Sequence, residues 1–473
     1  MTINSMTFLL VFLPISLFIY YISNDRIKEY VLLGISLLFY ALGSIQFLVG
    51  MLLVMCITVF IGRMINSMST GIVKVSVLAL GIIINVGILG YYKYYNFIID
   101  NVNCLLGTHL NYRQLLMPLG ISFFTFKAIS YLVDIYCDRA CLDNNPAHDL
   151  LYLSFFSQIQ SGPISRYGEM IPRVELSKNE KVAMFSEGVY RFLIGFSKKI
   201  LIANVLVNIT KEVFSQSFDN FSMMYAWLGA ISFSLQLYFD FAGYSDMAIG
   251  LTQMFGYSCK ENFEYPYMTK SVGMFWRKWH ISLGQWFRDY VYIPLGGSRS
   301  KSKIRVCFNL LVVWVLTGIW HGAAWNYVIW GLGYFVVISF EKMTGYPDKI
   351  KSKLIKGLYR IATLVFIIFQ WVIFRANNLT YGLKYIKRMV IYNSNPLADK
   401  RTMFLIKDYA FFLIIAILLC FPVVPWLDEK LEKNKYIHTV YEVIIGVLVV
   451  LGYVWAISYV VSGQNNPFAY ANF

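Results

Sequence analysis

The chain has 473 residues, of which 58% are hydrophobic and only 14% are Asp, Glu, Lys or Arg. A soluble domain carries about 25% charged residues because its surface must face water, so this composition excludes an ordinary soluble protein. The net charge is +15, but the basic residues stand in short clusters between apolar segments. Such clusters are typical of cytoplasmic loops and of contacts with lipid headgroups, and they disfavour nucleic acid as a partner.

Eleven apolar segments approach the length of about 20 residues that is needed to cross a bilayer. Arg26 and Lys28 directly follow the first of them, which predicts an N-terminus outside the cytoplasm. The seven cysteines are scattered and form no zinc motif, so we expect no metal. The predicted spans are Met6–Ile22, Tyr30–Val49, Met51–Ile65, Val73–Gly90, Leu115–Tyr136, Phe185–Val207, Met224–Thr252, Phe308–Phe340, Leu358–Phe374, Ala410–Trp426 and Val440–Val461.

Several of these spans contain residues that interrupt helices. Pro118 and Gly120 interrupt the fifth span, and Gly331 and Gly333 break the eighth. Backbone that is not helical survives at membrane depth only where protein or a water-filled cavity surrounds it. We therefore predict an all-α polytopic membrane protein with re-entrant and interfacial helices. The sequence has no evident internal repeat, which counts against a secondary transporter.

The segment Lys270–Arg305 contains eight basic residues, and Asp289 is its only acid. This charge predicts a position at the cytoplasmic face. Apolar residues at helical spacing from Trp276 to Tyr290 form one stripe, which predicts an interfacial helix with buried rings and outward basic groups. His280 lies on that stripe, where a histidine is either a hydrogen-bonded core residue or a functional one.

His321 lies in the run Asn309–Phe340, which contains no Asp, Glu, Lys or Arg. An ionisable side chain at membrane depth is costly and indicates a functional site. Gly318 and Gly322 remove bulk around it, so that another helix or a substrate can approach. The sequence contains no nucleotide-binding loop, nucleophile elbow or metalloprotease motif. What remains is a proton-transfer role for a membrane histidine without metal or nucleotide. General-base activation of a hydroxyl towards an ester or thioester carbonyl fits this role.

The segments around both histidines resemble the membrane-bound O-acyltransferase family, specifically its bacterial branch that O-acetylates alginate and other cell-surface polysaccharides. Four further segments resemble the same branch in the same order. The matching segments are FWRKWHISL at 275–283, RDYVYIPLGG at 288–297, GIWHGAAW at 318–325, PLGISFFTF at 118–126, SGPI at 161–164, FDFAGYSD at 239–246 and WVIFRA at 371–376.

The resemblance implies one membrane domain with helices around a central funnel. Its N-terminal helices would span 1–114, its catalytic core 115–462 and its tail 463–473. His321 would be the catalytic base and His280 a supporting residue. An oxyanion stabiliser is required, and His280, Trp320 and Asn326 are the candidates. The residues expected to line the substrate tunnel are Trp276, Trp279, Asp289, Trp320 and Asn326.

The last six residues, FAYANF at 468–473, resemble the F-x-Y-x-x-F motif at the C-terminus of such acetyltransferases. A small partner of the teichoic-acid D-alanylation system carries the same motif. The resemblance implies that Tyr470 carries the acyl group between the membrane enzyme and an extracytoplasmic transferase. A phenol is a poor nucleophile because its pKa is near 10, so Tyr470 would need a base such as His321.

These features predict a multi-pass enzyme of the bacterial cytoplasmic membrane. It would take an acyl group, most simply acetyl, from a cytoplasmic thioester, either acetyl-CoA or an acyl-carrier thioester, without a bound cofactor. The acceptor would be a surface polysaccharide or peptidoglycan, reached through an extracytoplasmic SGNH-type partner. D-alanyl transfer to teichoic acid is the alternative in the same class. A proton-coupled transporter or flippase, with His321 as the relay, is the alternative from a different class.

Overall fold

The computed structural model describes residues 1–142, 144–170, 176–218, 221–299, 302–391 and 396–463. These residues form helices and loops without a β-strand, which confirms the predicted all-α class. Short π-helical turns lie at Phe8–Phe12, Gly90–Tyr94, Lys198–Ala203 and Arg288–Tyr292, and 3-10 turns at Tyr167–Glu169 and Pro266–Met268. The helices are α1 Leu13–Ile22, α2 Lys28–Ser67, α3 Ile72–Leu89, α4 Tyr95–Leu106, α5 Ile121–Tyr136, α6 Pro146–Ser154, α7 Lys178–Ser197, α8 Asn204–Ser215, α9 Met223–Met254, α10 Val272–Lys278, α11 Ile281–Phe287, α12 Lys303–His321, α13 Trp325–Thr344, α14 Lys353–Arg375, α15 Leu379–Val390, α16 Lys400–Asp408, α17 Ala410–Leu419, α18 Val423–Leu431 and α19 Lys435–Val461.

Among the described residues, six helices are long and apolar enough to cross a membrane. The pair α16 and α17, bent by 66°, makes a seventh if it is one span. The multi-pass character is confirmed, but the predicted count of eleven is not. One reason is that the second and third predicted spans follow each other without a loop in α2, which is kinked at Ser44, where the backbone is not helical.

The predicted span Phe308–Phe340 is two helices, α12 and α13, separated by extended backbone around Gly322. The prediction that Gly331 and Gly333 break this segment was wrong, because both lie inside α13. A Cβ added at Gly331 would lie 2.4 Å from the carbonyl oxygen of Trp314. The glycine therefore permits close contact between the two helices instead of interrupting one.

The chain divides into two compact units, and the first contains residues 1–192 and 245–261. In this unit, the backbone that follows α6 is irregular yet buried. Gly120 packs beside it with φ +69°, and a Cβ there would lie 1.8 Å from the carbonyl oxygen of Ile159. An ion pair of 2.7 Å between the half-buried Arg63 and the buried Asp149 joins α2 to α6.

The second unit contains residues 193–244 and 262–463 and holds both histidines singled out above. Helices α12, α13 and α14 follow one another in the chain, and α13 packs against both of the others. Because the chain reverses at each loop, Lys303, Thr344 and Lys353 lie at one end of the three helices. His321, Trp325 and Arg375 lie at the other end. The end that contains Lys303 adjoins the basic segment Lys270–Arg305.

Candidate active site

The backbone turns sharply at His280. Trp279 is extended and His280 has φ +46° and ψ +56°, so helix α10 ends and α11 begins here. The predicted single interfacial helix through Trp276 and Tyr290 was therefore wrong. A left-handed conformation costs a residue other than glycine about 1–2 kcal/mol, so the surrounding structure must hold His280 in this turn.

Asn262 supplies that support. Its backbone carbonyl accepts the N–H of Ile281 at 2.9 Å. Its side-chain Oδ1 accepts the backbone N–H of Ser282 at 3.2 Å and the Ser282 hydroxyl at 2.9 Å. The same oxygen lies 3.2 Å from His280 Nδ1. One side chain thus holds the turn and the imidazole ring together.

These contacts define the protonation of the His280 ring. Asn262 Oδ1 already accepts an N–H from the backbone of Ser282, so Nδ1 of His280 carries the hydrogen that it donates to this oxygen. Nε2 is then the nitrogen with the lone pair. His280 lies outside the membrane-spanning helices, and burial lowers its pKa to about 3. The imidazole is therefore neutral at physiological pH.

Helix α9 supports the same ring from another direction. Phe241 packs edge-on against His280, with ring centroids 4.5 Å apart. The preceding residue, Asp240, forms a buried ion pair with Lys199. Removing one partner of such a pair leaves an uncompensated charge, so the pair constrains the position of α9 strongly. The segment FDFAGYSD therefore contributes packing to the site.

His280 lines a cavity of about 640 Å³. The aromatic and aliphatic part of its wall includes Trp276, Leu283 and Trp314. Four basic residues line it, of which the first three belong to the segment Lys270–Arg305; they are Lys270, Arg277, Arg288 and Lys342. Glu341 and Asp348 are the acidic residues of the lining. A cavity of this size with an apolar wall and a few polar groups is suited to a small-molecule substrate.

Glu341 fixes the helix that carries Trp276. Its buried carboxylate accepts the backbone N–H groups of Val272 and Gly273, each at 2.8 Å. It also accepts the hydroxyl of Tyr359 at 2.8 Å. A carboxylate at the first turn of α10 satisfies N–H groups that have no partner within the helix. This contact joins the cavity wall to helices α13 and α14.

His321 is the last residue of α12 and is 1% exposed. Its ring packs against Trp320 and Trp330, each with a centroid separation of 4.9 Å, and against Phe374 at 5.3 Å. Tyr327 of α13 fills the space that Gly322 leaves, because a Cβ at Gly322 would lie 2.2 Å from the Tyr327 ring. The small residues around His321 thus admit a neighbouring helix.

A layer of indole rings separates His321 from the cavity. His321 is not among the residues that line the cavity, whereas His280 is. The ring of Trp320 packs between both histidines, with centroid separations of 6.2 Å to His280 and 4.9 Å to His321. Trp276, in the cavity wall, contacts Trp330, which in turn contacts His321. The cavity therefore lies on the His280 side, one ring from His321.

The other predicted site residues occupy different positions. Trp279 is fully buried against Phe275, Phe263 and Trp371 and does not line the cavity. Asn326 donates its amide to the carbonyl oxygens of Ile373 and Ala376, at 3.4 and 3.0 Å. Both donors of this amide are thus occupied, which leaves none for an oxyanion.

Two predicted residues lie away from the cavity wall or beyond the described chain. Asp289 pairs with the neighbouring Arg288 at 2.7 Å, on a π-helical turn beside the cavity. Tyr470 lies outside the residues that the structure describes. Within those residues, no group of three or more His, Cys, Asp or Glu side chains could hold a metal ion.

Sequence reasoning missed Asn262, Trp330 and Glu341. Asn262 lies 18 residues before His280 and belongs to no periodic pattern, so only the folded chain shows its role. Trp330 resembles any apolar residue of a span. Glu341 did offer a signal, because it is the first acid after the charge-free run Asn309–Phe340. A lone acid in that position suggests a buried partner.

A comparison with protein families matches residues 143–385 to the sequence model of the membrane-bound O-acyltransferase family. The matched region covers about half of the chain and includes His280, His321 and all the residues that line the cavity. The two histidines thus lie in the part of the chain that carries the family pattern.

Curated relatives extend this similarity over most of the chain. A Pseudomonas aeruginosa protein named "Probable alginate O-acetylase AlgI" is 36% identical over 84% of this chain and 76% of its own length. A Helicobacter pylori protein named "Peptidoglycan O-acetyltransferase" is 34% identical over 82% and 79%. The "Teichoic acid D-alanyltransferase" of Bacillus subtilis is 32% identical over only 49% of this chain and 61% of its own.

Proposed function

Because the chain belongs to the membrane-bound O-acyltransferase family, we propose that it moves an acetyl group from a cytoplasmic thioester across the membrane to the hydroxyl of a cell-surface polysaccharide or of peptidoglycan. It is a polytopic membrane acyltransferase. The observation that supports acetyl transfer from a thioester is the cavity beside His280. Its basic surroundings and apolar wall suit a thioester donor that bears phosphates.

The basic residues around the cavity support a phosphate-bearing donor. Acetyl-CoA and the phosphopantetheine arm of a carrier protein both bring phosphates and a thioester at the end of a long chain. Arginine and lysine bind phosphate through charge-assisted hydrogen bonds. With the phosphates at Lys270, Arg277 and Arg288, the acyl end would point towards His280 and Trp276.

Trp276 is the strongest candidate for the oxyanion donor. Its indole N–H is buried and has no acceptor among the described residues, although Trp276 lines the cavity. A buried donor without a partner costs about 1–3 kcal/mol, so a functional reason for its retention is expected. A hydrogen bond from the indole N–H to the thioester carbonyl would supply that reason. This bond becomes stronger as negative charge develops on the oxygen.

In the proposed transfer, the acceptor oxygen bonds to the thioester carbonyl carbon and the carbon–sulfur bond breaks. His321 takes the proton of the attacking hydroxyl, and that proton returns to the departing thiolate. His280, neutral and facing the cavity, supports the donor side. The two histidines are separated by the ring of Trp320, so movement of this ring would accompany transfer.

The acceptor hydroxyl is proposed to be reached on the extracytoplasmic side. Tyr470 would take the acyl group first and pass it to an SGNH-type partner, which would acetylate the polymer. The alginate and peptidoglycan names of two relatives support this class of acceptor. The similarity to a teichoic acid D-alanyltransferase, over half of the chain, supports D-alanyl transfer as the second candidate.

We expect purified protein in lipid nanodiscs to consume labelled acetyl-CoA and to acquire label that the Tyr470→Phe variant does not acquire. A D-alanyl carrier thioester should give less label than acetyl-CoA. A transporter would give no covalent acyl–protein at all. If neither thioester labels a protein that elutes and melts normally, the proposal is contradicted.

In the same assay we expect Trp276→Phe to transfer acetyl about 10²–10³-fold more slowly, as for the loss of one oxyanion donor. Trp279→Phe is the matched control, because it removes an equally buried N–H without an acceptor from a ring that does not line the cavity. Equal rates in the two variants would exclude Trp276 as the donor.

A further inference from the structure

Helix α12 lines the His280 cavity with one face that continues to His321. Leu310, Trp314 and Thr317 belong to the cavity wall, and they follow one another at spacings of four and three residues, as residues on one face of a helix do. His321 follows Thr317 by four residues on the same face. Trp314 therefore lies about 10 Å from His321 along the helix axis, and its ring bounds the cavity on this face.

The ring of Trp314 is fixed by its neighbours. It meets Trp276 edge to face with centroids 5.0 Å apart, and it stacks on Tyr334 with centroids 5.2 Å apart. Trp314 is only 7% exposed, so nearly all of its surface is in contact with other groups. Side chains in such close packing cannot turn aside without displacing their neighbours. The ring is therefore a rigid part of the wall.

The backbone of Trp314 is fixed as well. Helix α13 approaches it so closely that a Cβ at Gly331 would lie 2.4 Å from the Trp314 carbonyl oxygen. Behind the ring stand Trp330 and Tyr334, which are fully buried and are not among the described residues of the cavity wall. The packing of the helices and of this second layer of rings thus ends the cavity at Trp314.

The charged part of the cavity wall is unsuited to an alkyl chain. Lys270, Arg288 and Asp348 belong to this part, and an alkyl chain placed among them would displace the water that solvates their charges. In the proposed function, the same basic residues bind the phosphates of the donor. The apolar wall around Trp276 and Trp314 is therefore the place for the acyl group.

We infer that Trp314 sets the upper limit on the length of the acyl group, so that the site binds acetyl and rejects longer acyl chains. The inference rests on the proposed function, in which the donor is an acyl thioester whose carbonyl accepts the N–H of Trp276. Because Trp314 adjoins Trp276, the carbon atoms beyond that carbonyl lie against the Trp314 ring. Acetyl ends there, whereas each further methylene group must displace a packed ring. Discrimination by one methylene group is about 10–200-fold in an apolar pocket.

The test is the binding of donor analogues of two lengths to the full-length protein in nanodiscs. Oxopropyl-CoA and oxoheptyl-CoA are thioether analogues of acetyl-CoA and hexanoyl-CoA, in which a methylene group between sulfur and carbonyl prevents transfer. Empty nanodiscs correct for partition of the longer analogue into lipid. The variants are Trp314→Leu, Trp314→Ala and, as the matched control, Trp279→Leu, which removes a buried indole that does not line the cavity. Transfer of label from acetyl-CoA and hexanoyl-CoA is measured separately on the same samples.

We expect the wild type to bind the acetyl analogue at least about 100-fold more tightly than the hexanoyl analogue. Trp314→Ala should reduce this preference at least about tenfold by binding the longer analogue more tightly, a gain that an unfolded protein cannot show. Trp314→Leu should reduce it less, and Trp279→Leu should keep it.

Three results would overturn the inference. They are equal binding of the two analogues by the wild type, an unchanged preference in both Trp314 variants, and an equal reduction in the Trp279→Leu variant. Binding of neither analogue by the wild type would overturn it together with the thioester donor. Selection by length without any transfer of label would instead contradict the proposed function alone.

Discussion

Replacement of His321 by Ala should reduce acetyl transfer by about 10²–10⁴-fold, the contribution expected of a general base. The imidazole is the ionisable group of a long charge-free run and is 1% exposed. Without it, the attacking hydroxyl keeps its proton. The rate of label transfer from acetyl-CoA measures the effect.

The His321→Gln variant controls for packing, because Gln keeps most of the volume enclosed by Trp320, Trp330 and Phe374. It should melt like the wild type and yet transfer as slowly as the Ala variant. Donor binding should survive in both, since His321 does not line the donor cavity. A wild-type rate in either variant would remove His321 from the mechanism.

Replacement of Gly318 by Ala should both destabilise the protein and impair transfer. The added Cβ would lie 2.5 Å from the carbonyl oxygen of Tyr327 and 3.1 Å from Val328 Cα. These are backbone atoms and cannot rotate away, so α12 and α13 must separate. Overpacking of this kind costs about 1–3 kcal/mol, and a shift of about 1 Å in His321 can cost about 10²-fold in rate.

The matched control is Gly357→Ala, at an exposed site in α14 where no atom lies within 4 Å of the added Cβ. This change should be neutral or stabilising by up to about 1 kcal/mol, because Ala favours helix over Gly. Thermal unfolding in detergent and the transfer rate are measured for both variants. If Gly318→Ala melts and transfers like Gly357→Ala, the close contact between α12 and α13 is not needed.

The sequence predicted the parts of the site that depend on composition. His321, in a run without charges, is buried among aromatic rings. This burial agrees with the expectation that an ionisable group in an apolar run lies inside the protein, because exposure of such a group to lipid is costly. This cost acts locally and can be read from neighbouring residues.

The parts that depend on distant contacts could not be predicted in this way. The helical stripe through His280 was broken by a turn that Asn262 holds from 18 residues away. Gly331 was expected to break a helix but instead lets the backbone of Trp314 approach closely. A glycine in a sequence is compatible with either a helix break or a close helix contact, and only the position of the neighbouring helix distinguishes them. The position of the Trp320 ring between the two histidines could not be predicted from the spacing of apolar residues in the sequence.

The most direct test of the account is the side on which product forms. Proteoliposomes containing the protein and its extracytoplasmic partner are loaded with acceptor oligomer, and labelled acetyl-CoA, which does not cross membranes, is added outside. We predict acetylated oligomer inside the vesicles, dependent on His321. Consumption of acetyl-CoA outside, with no acetylated oligomer inside the vesicles, would contradict transfer across the membrane.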